Sequence, residues 1–142
     1  MTEGMTDARM FAALSATNEA ILRAKSQREL YQSVCDAAVY GGKFKIAGAM
    51  LAEPDNSLRP VAATSENEII LAPTISVDAK SKRGQGLAGI AFRTARSCIS
   101  NDVLNDERLR PWREDNARDG VGATVAVPIL RAGTSIGVFL FC

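Results

Sequence analysis

Apolar positions along the chain follow two spacings, and the changes between them lay out the elements. From Phe11 to Lys25 the residues Phe11, Leu14, Asn18 and Ile21 are three, four and three apart, which is the spacing of a helix with a short heptad seam. A buried asparagine facing its twin in a parallel coiled coil fixes register and two-strandedness, so these four residues are candidate dimer contacts. The same spacing also suits an amphipathic helix lying on its own domain. Ser26-Gln27-Arg28-Glu29 reads as a capping box that starts a second helix. Leu30, Val34, Ala37 and Ala38 line its apolar face with Cys35 beside them, and Gly41-Gly42 end it. FKIAGAML, residues 44–51, reads as a strand. Residues 54–57 read as a turn and 58–64 as the returning strand, in which Pro60 points to a sheet edge. A short strand over 74–78, a basic loop over 80–84 and a helix over 87–95 follow. Next come a strand over 98–102 and a helix around Arg108 to Arg118. Val121, Ala123, Val125, Val127 and Ile129 alternate on one face of the next strand, residues 131–134 turn the chain, and 135–142 close as a near-continuous apolar strand.

Hairpins at both ends of this order imply antiparallel pairing, with helices packed on the sheet. The fold class is α+β. GQGLAG, Gly84 to Gly89, matches the glycine pattern of dinucleotide-binding loops, but that fingerprint needs a buried strand ending at its first glycine. The residues before Gly84 are DAKSKR, too polar for such a strand, and the acidic residue at a suitable distance, Asp106, falls in a helical segment. The dinucleotide reading is therefore set aside.

At 142 residues the chain is one domain by length and long enough to bury a core without disulfides. Seventeen basic and sixteen acidic side chains leave a formal charge of +1, so no strong field draws the surface toward nucleic acid or an anionic membrane. Cys35, Cys98 and Cys142 are odd in number and widely spaced, the pattern of reduced, cytoplasmic thiols. No signal peptide or apolar run of membrane-spanning length is found. The chain has no histidine, which excludes a histidine-ligated haem, a His-containing zinc site, a Ser-His-Asp triad and a Cys-His pair. No metal or cofactor is expected.

The segments GQGLAGIAFRTARSCISNDVLNDERLRPWRE and GATVAVPILRAGTSIGVFLF resemble a GAF domain, a sensory relative of the PAS domain, and LYQSVCDAAVYGGKFKIAGAMLAEP is similar to its opening helix and strand. The resemblance covers nearly everything from Ser26 onward. It implies a central antiparallel sheet of about six strands flanked by helices on both faces, with residues 1–25 as an N-terminal linker or dimerisation helix and 26–142 as the domain. It also implies that the glycines turn the chain into a helix walling a ligand chamber. The ligand residues carried over are Met50, Leu87, Ala91, Asn101, Asp102, Trp112 and Thr124. Asn101-Asp102 has the alternative role of capping the next helix, and Trp112 that of packing on the sheet.

Specialised members of the family fit less well. Bilin and haem binders rely on histidines, and the Asn-Lys-Phe-Asp-Glu constellation of the cyclic-nucleotide subgroup is missing. The free methionine-R-sulfoxide reductases place a cysteine in the glycine motif, where this chain has Ala88. Cys98 is expected to lack the cationic partner and resolving thiol that sulfur chemistry needs. The resemblance thus implies a non-enzymatic sensory domain of a signalling protein, N-terminal to a diguanylate cyclase or histidine kinase module. It would bind an unidentified small molecule and relay the signal through dimeric helices. A dimerising module without ligand, a thiol redox sensor and a reductase-like enzyme are the alternatives. The sequence stops at Cys142 inside an apparent strand, so a fragment of a larger protein, lacking its output domain and C-terminal helix, is expected.

Overall fold

The computed structural model describes residues 26–42, 44–64 and 75–142. Contacts divide the chain into two units, Met1–Leu30 and Tyr31–Cys142. In the first unit residues 26–30 are described and are helical; the seam positions Phe11, Leu14, Asn18 and Ile21 lie outside the described residues. Ser26 is itself helical, whereas a capping residue stands just outside a helix with extended backbone. The serine therefore does not act as the expected cap.

The second unit opens with helical residues 31–40 (α1). Its sheet comprises β1 (Ala47–Ala52), β2 (Leu58–Ala63), β3 (Cys98–Ser100), β4 (Thr124–Arg131) and β5 (Thr134–Phe141) in the order β2-β1-β5-β4-β3. Every neighbouring pair is antiparallel. Of the segment expected to supply a further strand, residues 74–78, the described residues 75–78 form one isolated bridge, between Ser76 and Ser57. The Ser76 hydroxyl explains this, because it accepts from the Asp78 N–H at 3.0 Å and donates to the Asn56 carbonyl at 3.2 Å. Local side-chain bonds of this kind offer the backbone an alternative to a ladder.

Pro60 sits in edge strand β2 opposite Met50, next to a register shift between Ala49 and Met50. Gln32 of α1 protects part of that edge: its amide donates to the Ala63 carbonyl at 3.0 Å and accepts from the Ala63 N–H at 3.4 Å. A side chain thus takes the place of a neighbouring strand. At the other hairpin Ala132 (φ 49°) and Gly133 (φ 81°) are both left-handed, the conformation of a two-residue type I′ turn. Alanine is strained there and asparagine is not. Ala132→Asn is expected to stabilise the domain by about 0.5–1 kcal/mol in urea denaturation, and a loss of stability would contradict this account of the turn.

Residues opposite one another in the ladder share a face, so Val125, Phe141 and Ala47 form one row and Val127, Phe139 and Ala49 the next. This face packs on α1. Tyr31 meets Phe139 edge-on with ring centroids 5.8 Å apart, Phe139 stacks on Phe141, and Cys35 is fully buried. The buried stripe of α1 is Tyr31, Cys35, Ala38 and Val39, rotated from the expected Leu30, Val34, Ala37 and Ala38. Leu30 is 59% exposed. The aromatic residue takes the inward position because it buries more area and gains the edge-to-face contact. Burial, followed by the neighbouring Asp36 charge, pushes the Cys35 thiol up to about 11. At pH 8 a thiol reagent is expected to modify Cys35 only with global unfolding; rapid labelling of the native protein would show that α1 is not seated as described.

The opposite face carries the larger core. Met50, Val138, Leu140 and Ala126 of the sheet pack against Leu87, Ala88 and Ala91 of helix α2 (Leu87–Thr94), with Val103, Leu109, Trp112 and Val121 closing the sides. Helices therefore cover both faces of the sheet.

Candidate functional site

The glycine motif is a packing device. A 3-10 turn at Lys82–Gly84 leads into α2, with Gly86 as its extended N-terminal cap. A Cβ at Gly86 would lie 2.6 Å from Cζ3 of Trp112, and one at Gly89 would lie 2.1 Å from the Gly84 carbonyl oxygen. Glycine thus lets the loop press flat on the indole and lets α2 press on the loop. Arg93, in the last turn of α2, fixes this arrangement by donating from Nη1 to the carbonyls of Gly84 at 2.6 Å and Val77 at 2.9 Å. Arg93→Met is expected to cost about 1.5–3 kcal/mol, the range for hydrogen bonds to charged groups, in equilibrium denaturation. An unchanged midpoint would mean that the loop holds itself.

The segment expected to be one helix is two. A 3-10 helix at Glu107–Trp112 passes directly into α3 (Arg113–Arg118). Three residues per turn put Leu109 and Trp112 on one side, and the change to an α-helix adds Asn116, four residues on. All three are buried, while Glu107 and Arg110 stay outside as an exposed pair. Asp106 caps the 3-10 helix by accepting from the Arg108 N–H at 3.0 Å. Asn101 and Asp102 do not: both are exposed, and the Asp102 carboxylate accepts from Asn105.

Hydrogen bonding from Arg108 is the main reason the Asp106 carboxyl is held well below the usual carboxylate range; burial opposes it. A depressed folded-state pKa stabilises the fold above the unfolded value near 4, and that contribution is lost as pH falls below it. The acid limb of a stability–pH curve is therefore expected to flatten in Asp106→Asn; an unaltered limb would contradict the assignment.

Arg108 also reaches edge strand β3. Its Nη1 donates to Cys98 Sγ at 3.3 Å and its Nη2 to the Ile99 carbonyl at 3.2 Å. This corrects the expectation that Cys98 has no cationic partner. The correction has a simple origin: an Asp-x-Arg pair folds Arg108 back over its own cap, toward β3 rather than into solvent.

Between the sheet and these helices lies a cavity of about 30 Å³. Ile75, Leu87, Ala88, Leu109 and Leu140 supply its apolar wall, and Trp112, Asn116, Thr124 and Cys142 its polar groups. Trp112 and Asn116 are each 4% exposed. The indole Nε1 of Trp112 is buried without a hydrogen-bond partner among the described residues. The Thr124 hydroxyl donates to Cys142 Sγ at 3.5 Å, and burial pushes that thiol up, so it stays neutral. Among the described residues no carboxylate, lysine or arginine side chain lines the space. The Arg83 guanidinium lies 6.0 Å from the Trp112 ring centroid.

Of the seven residues expected to contact ligand, the structure brings Leu87, Trp112 and Thr124 together at the cavity. Met50 and Ala91 are fully buried in the same core without lining it. Asn101 and Asp102 belong to an open surface depression with Asn105 and Asp106. Asn116 and Cys142 were not foreseen as lining residues. The four-residue step from Trp112 to Asn116 is the signal that points to the first.

A profile of the GAF domain matches residues 24–142. The chain belongs to the GAF domain family. No curated protein sequence matches it. Among solved structures, the GAF domain region of a Geobacter sulfurreducens protein is 18% identical with a TM-score of 0.67, over 87% of this chain and 80% of that one. The type II free methionine-R-sulfoxide reductase of Thermoplasma acidophilum is 16% identical with a TM-score of 0.61, over 82% of this chain and 74% of that one. A domain of a two-component sensor histidine kinase protein from Sinorhizobium meliloti is 19% identical with a TM-score of 0.53, over 80% and 69%. At these identities the likeness is one of fold. Among the described residues no helix is long and apolar enough to cross a membrane.

Proposed function

We propose that this GAF domain is a regulatory sensory module that binds a small molecule between its sheet and the helices α2 and α3. One observation carries the reading: a buried indole N–H with no partner among the described residues, on a residue that walls the cavity. Leaving such a donor unpaired costs about 1–3 kcal/mol, a cost that an acceptor entering the cavity removes. Ligand binding and stability are then linked by mass action. Signal would pass to a covalently attached output domain, a diguanylate cyclase or histidine kinase in the cytoplasm, through helices paired in a homodimer. It could do so only by the ligand's differential affinity for two helix arrangements.

Binding rather than bond-making is the proposed activity. Ala88 occupies the position where the reductases resembled by this chain carry a cysteine. Native mass spectrometry of freshly purified protein tests the reading directly. A stoichiometric small adduct lost in Trp112→Ala supports it, whereas a bare mass together with no response to any metabolite would remove it.

Two other readings each have an observation in their favour. The modest cavity volume suits a module that only associates with partners. The Arg108 contact suits a thiol sensor at Cys98, since it sets a guanidinium donor directly on the sulfur. A partner affinity indifferent to small molecules would point to the first. A peroxide response abolished by Cys98→Ser would point to the second.

A further inference from the structure

We infer that the cavity is built for a primary amide, presented either as a very small molecule or as the end group of a larger one. This rests on the ligand-binding reading and names the chemistry of that same site. Charge comes first. Among the described residues the wall holds no ionised side chain, and the Cys142 thiol is kept neutral by burial. An anion entering this space would lose its hydration with no countercharge to meet it, and so would a cation. The ligand group is therefore uncharged.

The donors and acceptors narrow it further. Trp112 offers an N–H and nothing else, so the ligand must accept a hydrogen bond. Thr124 donates to Cys142 Sγ, which leaves its oxygen lone pairs open, so a donor on the ligand finds a partner there. Asn116 brings both an oxygen and an NH2. A carbonyl with an adjacent NH2 satisfies all three together. A carboxylate cannot, since it has no proton for Thr124, and a hydrocarbon would leave Trp112 unpaired. Volume agrees: about 30 Å³ accommodates one or two water-sized groups, which is the size of a carbonyl and an amino group.

Trp112 is the only tryptophan, so a 15N-labelled sample gives a single indole N–H resonance whose position reports whether Nε1 is hydrogen-bonded. Formamide and formate are nearly isosteric and differ in charge and in the donor, and they are the probes. Formamide, with three heavy atoms, is expected to bind in the millimolar range at best and to move the indole resonance downfield with saturation. Sodium formate at matched ionic strength is expected to leave it where sodium chloride does. Thr124→Val, which keeps the shape of the wall, should weaken the formamide response at least about fivefold without altering the rest of the spectrum. If formate moves the resonance as strongly as formamide, or Thr124→Val leaves the formamide affinity unchanged, the amide assignment fails while the binding chamber stands. If neither probe moves it, both the assignment and the chamber fall.

Discussion

Trp112→Ala is expected to lower the stability of the domain by about 3–5 kcal/mol, the range for removing a buried tryptophan ring. Three contacts converge on this side chain. Its benzo edge lies against Gly86, the Arg83 guanidinium is 6.0 Å from its ring centroid, and its inner side walls the cavity. Alanine would leave α2 and the 3-10 helix facing one another across an enlarged void. Trp112→Phe separates packing from hydrogen bonding. It keeps an aromatic ring and deletes an N–H that has no partner among the described residues, so its stability cost should be well below that of alanine. Any response to ligand should nonetheless vanish. Circular dichroism in urea checks both variants. A cost below about 1 kcal/mol for alanine would show that the indole is not packed as described.

The second large effect lies in the glycine motif. Gly86→Ala sets a methyl group against Cζ3 and Cη2 of Trp112, at 2.6 and 2.8 Å, and overpacking of this kind typically costs about 1–3 kcal/mol. The obstacle is one side chain, so the cost should be coupled to it. Combined with Trp112→Phe, which removes those two ring atoms, Gly86→Ala should become nearly neutral, with a coupling energy of about 1–2 kcal/mol. Gly89→Ala provides the contrast. Its methyl would strike the Gly84 carbonyl, a backbone atom fixed by Arg93, and no change at Trp112 should relieve it. Equal costs for Gly86→Ala in both backgrounds would mean that the loop does not rest on the indole.

Much of the frame could be read from residue order because it depends on local rules. Pro60 marked an edge strand since it lacks the N–H an inner strand must donate, and β2 is an edge. The helix after the glycines and the two terminal hairpins followed from periodicity and turn chemistry. What escaped the reading depends on distant partners. Which stripe of α1 faces the sheet was decided by Phe139, more than a hundred positions away, and a helical pattern cannot encode that choice. The strand expected over 74–78 was lost to a serine hydroxyl that bonds its own loop.

The candidate site divides the same way. Trp112, Leu87 and Thr124 could be placed by likeness to a family pattern, but Asn116 needed the change from a 3-10 to an α-helix at Arg113, which shifts the inward face by one residue. The residues around Arg93 and Arg108 do not reveal which distant carbonyls and sulfur their guanidinium groups reach. Asn101 and Asp102 show the converse, polar residues beside the site in sequence and on the open surface in the fold.

The measurement that bears most directly on the central claim is a thermal-shift screen of small metabolites against the wild-type domain and Trp112→Phe in parallel. A ligand present at about one hundred times its dissociation constant adds roughly 2.7 kcal/mol of stability, which raises the melting temperature of a domain this size by several degrees. The account predicts at least one such compound for the wild type and a shift reduced to near zero for Trp112→Phe. Wild type and variant responding alike, or neither responding to anything, would contradict it.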